Sequence, residues 1–89
     1  MTPYELIVKR SAEKEMLSLP TQVFDRVKEA ILNLEEDPRP RGCKKLRGLD
    51  EYRLRVGAYR VLFSVDDEKH AVTVMAVGHR QDVYRRRNS

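Results

Sequence analysis

Three arginines, Arg53, Arg55 and Arg60, fall in a segment where apolar residues recur at every second position. Tyr52, Leu54 and Val56 alternate with Arg53 and Arg55. Beyond Gly57-Ala58, Tyr59, Val61, Phe63 and Val65 alternate with Arg60, Leu62 and Ser64. A strand sends successive side chains to opposite faces, so Arg53 and Arg55 share one face and leave the apolar set to a core. Pairing of residues 52–56 with 59–65 as a hairpin brings Arg60 onto that same face. Like charges opposed across a ladder repel and destabilise a sheet. Guanidinium groups gathered this way call for an external anion, unless carboxylates from elsewhere in the chain neutralise them.

The charge distribution says which anion. Residues 1–38 have net charge −3, residues 39–65 net +6 and residues 66–89 net +1, giving +4 overall. A basic middle segment beside an acidic first one implies a one-sided positive surface, the electrostatic footprint of nucleic-acid binding. Lys44, Lys45 and Arg47, in the basic stretch leading into the alternating segment, are placed to contact phosphates. No Gly-x-x-x-x-Gly-Lys loop or Gly-x-Gly-x-x-Gly fingerprint points to a nucleotide cofactor. Two acidic residues in 39–65 are too few for a two-metal nuclease. Phosphodiester cleavage without metal would rest on fixed cations and an internal nucleophile. RNA supplies that nucleophile as its 2′-hydroxyl and DNA does not.

The surrounding elements must hold these residues. Tyr4, Leu6 and Val8 alternate with Glu5, Ile7 and Lys9 as a short first strand. Ser11 offers a hydroxyl to a helix start over about 11–18, with Ala12 and Met16 on its apolar side. Pro20 opens a second helix, where its missing N–H costs nothing. Val23, Val27, Ala30, Ile31 and Leu34 form its apolar stripe, with Phe24 at the edge, and Asp37-Pro38 closes it. Residues 39–48 read as a basic, linker-like loop, Asp66 to Lys69 as a polar turn, and Ala71 to Val77 as a strand covered on both faces. The order βααβββ is that of an α+β fold, two N-terminal helices packed on a small antiparallel sheet. Residues 1–89 make a single domain, with 85–89 expected as a flexible tail.

Composition excludes several other classes. The chain has one cysteine, Cys43, which rules out a disulfide framework and a cysteine-rich zinc site. The longest apolar run is too short to span a bilayer, and the first residues lack the basic start and apolar stretch of a signal peptide. A cytoplasmic protein with no cofactor is expected.

Lys45-Leu-Arg-Gly-Leu49, Tyr52 to Arg60, and Val77-Gly-His-Arg80 followed by Asp82-Val-Tyr84, in this order and spacing, resemble the RelE/ParE toxin superfamily on its RelE side. The resemblance covers essentially the whole chain. It implies the toxin of a type II toxin–antitoxin pair, a metal-independent endoribonuclease that cuts mRNA in the ribosomal A site, with a small antitoxin protein as partner. Arg60 matches the arginine that holds the scissile phosphate. Arg80 matches the arginine assisting the leaving group, and Tyr84 the tyrosine on which a base stacks. Arg53 and Arg55 stand where the best-studied RelE proteins have lysines, one of them proposed as general base. A guanidinium orients phosphate but does not accept a proton at neutral pH, so the electrostatic role survives and the basic role does not. An imidazole can take or give a proton near neutral pH, which makes His79 the candidate proton shuttle. Adjacent strand residues face opposite ways, so His79 and Arg80 share a site only if the strand has ended by Gly78. Glu51 is a remote candidate base and His70 has no role. The same fold admits two other readings, a ParE-like gyrase poison and an RNA-binding module without catalysis.

Overall fold

The computed structural model describes residues 3–46 and 50–79. The elements are β1 (Glu5–Val8), α1 (Arg10–Leu17), α2 (Thr21–Asn33), β2 (Lys44–Lys45), β3 (Glu51–Val56), β4 (Tyr59–Asp66) and β5 (Ala71–His79). The α+β class and the βααβββ order of the main elements stand. The sheet is five-stranded and mixed, in the order β1-β5-β4-β3-β2. β1 pairs parallel with β5, whereas the other pairs are antiparallel. Alternation within β1 marks it as a strand but carries no information about its neighbour or its direction, so the expected antiparallel sheet gains a parallel edge. The basic loop likewise contains a short edge strand, β2, that its composition does not announce.

Both helices pack on one face of the sheet. Ala12 and Met16 of α1 join Val27, Ile31 and Leu34 around Tyr52, Val61, Phe63, Val65, Val72, Val74 and Val77. Full burial of an aliphatic or aromatic side chain is worth roughly 1.5–3 kcal/mol relative to exposure, which is why the stripe on α2 turns inward. Cys43 packs against the same cluster, and burial pushes its thiol pKa up. α1 starts one residue before the expected point. Lys9 holds its N-cap position and no side chain caps it, so Ser11 is not the cap. α2 ends at Asn33, before Asp37-Pro38, and its last amides continue as turns, Leu34 N–H to Ile31 and Asp37 N–H to Asn33.

Two local features set the geometry of the sheet. Val56 pairs with Tyr59 across a two-residue turn in which Gly57 has φ 61°. That left-handed conformation is cheap for glycine and suits a tight hairpin turn. The second is an irregularity in the β4–β5 ladder: Leu62 pairs with Ala76 and Phe63 with Val74, so Met75 is an extra residue in β5. A β-bulge of this kind reverses the facing of everything after it. Val72, Val74 and Val77 therefore all point to the core.

The far end of the sheet is tied by a polar network. Arg39 donates to both carboxylate oxygens of Asp67, at 3.2 and 2.8 Å, and through Nε to the Tyr52 hydroxyl at 2.9 Å. Tyr4 donates to Asp67 at 2.7 Å and stacks on His70, whose φ of 56° closes the β4–β5 turn. The network joins the segment after α2 to β3, the β4–β5 turn and the residue before β1. His70, which the sequence left without a role, serves this turn.

Candidate nucleic-acid interface

The face of the sheet away from the helices carries the arginines. Arg55 and Arg60 are direct cross-strand partners, and Arg53 lies opposite Leu62 two residues along β3. Lys44 of β2 is in register with Arg53, which extends the cationic row across a third strand. Lys45 pairs with Tyr52, on the other face, and makes an exposed contact to Asp50 at 3.8 Å. Contacts of that kind contribute little. The short turn at Gly57-Ala58 is what aligns Arg55 with Arg60, since a two-residue loop leaves the register no freedom.

Arg60 differs from its neighbours in burial. It is 6% exposed, although it lies on the face away from the helices. Its Nε and Nη1 atoms are buried and have no hydrogen-bond partner. Leaving a buried donor unsatisfied costs about 1–3 kcal/mol, and more for a charged group. Among the described residues no carboxylate is ion-paired with Arg55 or Arg60. Arg55 Nε donates weakly to the Gly57 carbonyl at 3.3 Å. The register places Gly78 of β5 beside Arg60 on its other side, so no side chain stands between the guanidinium stem and that strand.

His79 is not part of this grouping. It pairs with Tyr59 and makes an edge-on ring contact with it, centroids 5.9 Å apart. Tyr59 and His79 occupy the helix-side face, one rung from Arg60 but turned the other way. β5 runs through Gly78 to His79, so the condition for His79 to join the arginine face is not met. Glu51 does share that face, paired with Ser64, but four residues of strand, roughly 13 Å, separate Ser64 from Arg60. Arg47, Arg80 and Tyr84, and the tail 85–89, lie outside the described residues. The contribution of Gly78 had no signal in the sequence beyond its being a glycine.

Opposite charge gathers at the other end of the strands. A concave surface there is lined by Arg39, Asp50, Ser64, Asp66, Asp67 and Glu68. Its carboxylates repel phosphate, and its one arginine is already held by Asp67. Anion recognition therefore belongs to the hairpin end. Among the described residues no three His, Cys, Asp or Glu side chains are grouped as a metal site requires, and no helix is long and apolar enough to cross a membrane.

Residues 6–84 match the family model described as the ParE toxin of the type II toxin–antitoxin system parDE. The chain belongs to this toxin family. Its named relatives lie on the RelE side. It is 34% identical to Toxin RelG of Mycobacterium tuberculosis over 94% of this chain and 99% of that one. It is 35% identical to the mRNA interferase toxin RelE of Escherichia coli, over 88% of this chain and 84% of that one. Among solved structures, a mutant of E. coli toxin RelE in the free state superposes with a TM-score of 0.77 at 33% identity, covering 92% of this chain and 90% of that one. The M. tuberculosis toxin–antitoxin complex RelBE2 gives 0.76 at 30% identity, covering 86% and 98%. The toxin thus shares with RelE proteins both its sequence pattern and the two-helix, five-strand arrangement that carries the arginine row.

Proposed function

We propose that this toxin is a ribosome-dependent endoribonuclease that cuts mRNA without a metal and is held in check by a cognate antitoxin protein. The observation that carries this reading is Arg60: a buried guanidinium with unpartnered Nε and Nη1 on the same rung as Arg55. A phosphate bound at this rung takes charge-assisted hydrogen bonds from the two guanidiniums, Arg60 and Arg55. The 2′-oxygen of a nucleotide attacks its own 3′-phosphate and the 5′-oxygen leaves. A 2′,3′-cyclic phosphate remains on the upstream fragment. Arg60 stabilises the negative charge that grows on the phosphorane, and Arg55 and Arg53 orient the chain on either side. Lys44, in register with Arg53, grips a flanking phosphate, and Arg47 has that role by its place in the basic stretch; Lys45 faces the other side beside Tyr52 and Asp50 and is left out of the grip. Arg80 assists the leaving oxygen and Tyr84 stacks on a base, roles assigned by resemblance to RelE proteins. His79 faces the other side of β5, so no proton is routed through it.

With arginines where a proton acceptor would serve, the chemistry depends on alignment. Holding a reacting group in line can replace much of a missing acid–base contribution, and the ribosome with its codon provides that alignment. Antitoxin partnership is supported by the likeness to solved toxin–antitoxin complexes. The matched family model bears the ParE name, which favours gyrase poisoning as the second reading.

The test is to incubate the purified toxin with bare mRNA and with programmed ribosomes and to map the ends produced. Cutting confined to the ribosomal sample, with cyclic-phosphate ends, is the expected result. Equal cutting of both samples refutes ribosome dependence. Intact mRNA together with gyrase-dependent DNA breaks replaces this reading with the ParE-like one. Salt-sensitive RNA binding with no new ends leaves a binding module.

A further inference from the structure

β1 covers the outer edge of β5 only as far as Val74. The amides of Glu5 and Lys9 donate to the carbonyls of His70 and Val74, at 2.8 and 3.0 Å, and the chain then turns into α1. Residues 70, 72 and 74 therefore direct their backbone groups towards β1, and strict alternation would make Ala76 the next outward amide. The extra residue at Met75 moves that place to Val77. Its amide donates to Glu15 Oε1 at 2.9 Å in a part-buried contact. Glu15 is half-buried on α1, which Ala12 and Met16 pack against the core. A side-chain carboxylate thus continues the row of acceptors beyond the point where the strand supplying them has ended.

We infer that Glu15 is a positioning residue for the arginine site, holding β5 in the bulged register that sets Gly78 beside Arg60. The inference deepens the proposed function and rests on its reading of Arg60 as a phosphate-binding group. Two registers compete for the end of β5. In the bulged one Val61 pairs with Val77 and Arg60 with Gly78. Without the bulge, counting on from the Phe63–Val74 pair, Arg60 falls opposite Val77, and the valine side chain turns to the arginine face. A branched side chain then stands against the Arg60 stem where glycine now leaves bare backbone. In that register the Val77 amide also turns inward to β4, away from Glu15. The hydrogen bond from Val77 to the carboxylate therefore forms in one register only, and all of its stabilisation goes to the arrangement that keeps a side chain off Arg60. Bonds to an ionised acceptor are the stronger kind. Burial of Val77 in the core, at 0% exposure, favours the same register. Glu15 acts through the backbone of β5, which carries its hold from Val77 to the next residue and so to the rung that Arg60 occupies.

Inorganic phosphate titrated into the full toxin, followed by NMR at the Arg60 Nε–H resonance, reads the anion site without any cleavage. Glu15→Ala removes the acceptor and should weaken phosphate binding at Arg60 about tenfold. Glu15→Gln keeps a carbonyl oxygen at the same reach and should bind within about threefold of wild type. Glu15→Asp keeps the charge but falls one methylene short; it should follow Glu15→Ala, and takes its place if that variant does not fold. Hydrogen exchange at the Val77 amide should quicken in the Ala and Asp variants and not in the Gln variant. Thermal unfolding is measured alongside. A lowered Tm with unchanged phosphate affinity makes Glu15 a residue of the fold alone and overturns the inference, as does equal weakening by Glu15→Gln and Glu15→Ala. Cutting of mRNA on programmed ribosomes is scored separately. A wild type that binds phosphate at Arg60, loses it in Glu15→Ala and yet cuts no mRNA upholds this inference and removes the proposed nuclease. An Arg60 resonance indifferent to phosphate in the wild type overturns both.

Discussion

Replacing Arg60 by methionine should make the toxin more stable and less active at once. In the native protein the side chain is 6% exposed and two of its donors have no partner. A buried unsatisfied polar group costs about 1–3 kcal/mol, and more when it is charged. Methionine is unbranched and adapts to an irregular site, so little new strain offsets the gain. For a domain of this size each kcal/mol moves Tm by roughly 4–8 °C, so a rise of at least ~4 °C is expected. Arg55→Met, at an exposed position, should stay within about 0.5 kcal/mol of wild type. Cleavage moves the other way. Removal of one preorganised donor to a developing charge typically costs roughly 10²–10³ in rate, and the same loss is expected for Arg60→Met. Calorimetric melting at neutral pH and single-turnover cleavage on programmed ribosomes read the two effects separately. A fall in Tm would mean that the guanidinium is already satisfied within the protein and serves the fold. Unchanged cleavage would remove it from the site.

Two further outcomes follow from the network and from the register. Arg39 holds the Asp67 carboxyl below its ordinary 3.8, and the hydrogen bond to Asp67 lifts the Tyr4 hydroxyl above its ordinary 10.0. The Asp67 contribution is complete above its ordinary value and lost as pH falls through the lowered one. The Tyr4 contribution is complete below its ordinary value and lost as pH rises through the raised one. The stability deficit of Asp67→Asn, followed by urea unfolding, should therefore be widest between those limits and narrow beyond both; a deficit constant down to strong acid would contradict the network. His79→Ala should cut mRNA within about threefold of wild type, against the roughly 10²–10⁴-fold loss expected on removing a general acid or base. A loss of that larger size, with folding intact, would return His79 to the proton-transfer step.

How much was legible beforehand depends on the distance over which each feature is decided. The core stripe of α2, the two strands around Gly57-Ala58 and the arginine face follow from patterns that close within a few residues. Tyr52 to Val65 therefore determined by itself that Arg53, Arg55 and Arg60 share one side, because a two-residue turn between alternating strands admits a single register. Residues whose neighbours lie far along the chain were not legible in the same way. Ser11 has the right chemistry for a cap, yet Lys9 takes that position because its amide is committed to Val74 of β5. The parallel pairing of β1 is a property of β5 as much as of β1. Most telling is Met75. Strict alternation from Ala71 and Thr73 carries His79 onto the arginine face, but the bulge at Met75 turns it to the helix side and sets Gly78 beside Arg60 instead. Nothing in residues 71–79 announces that extra residue, since a bulge is settled by how two strands fit against each other and the helices above them. The burial of Arg60 belongs to the same class: alternation chooses the face of a side chain, and only the assembled chain decides whether that face is wet.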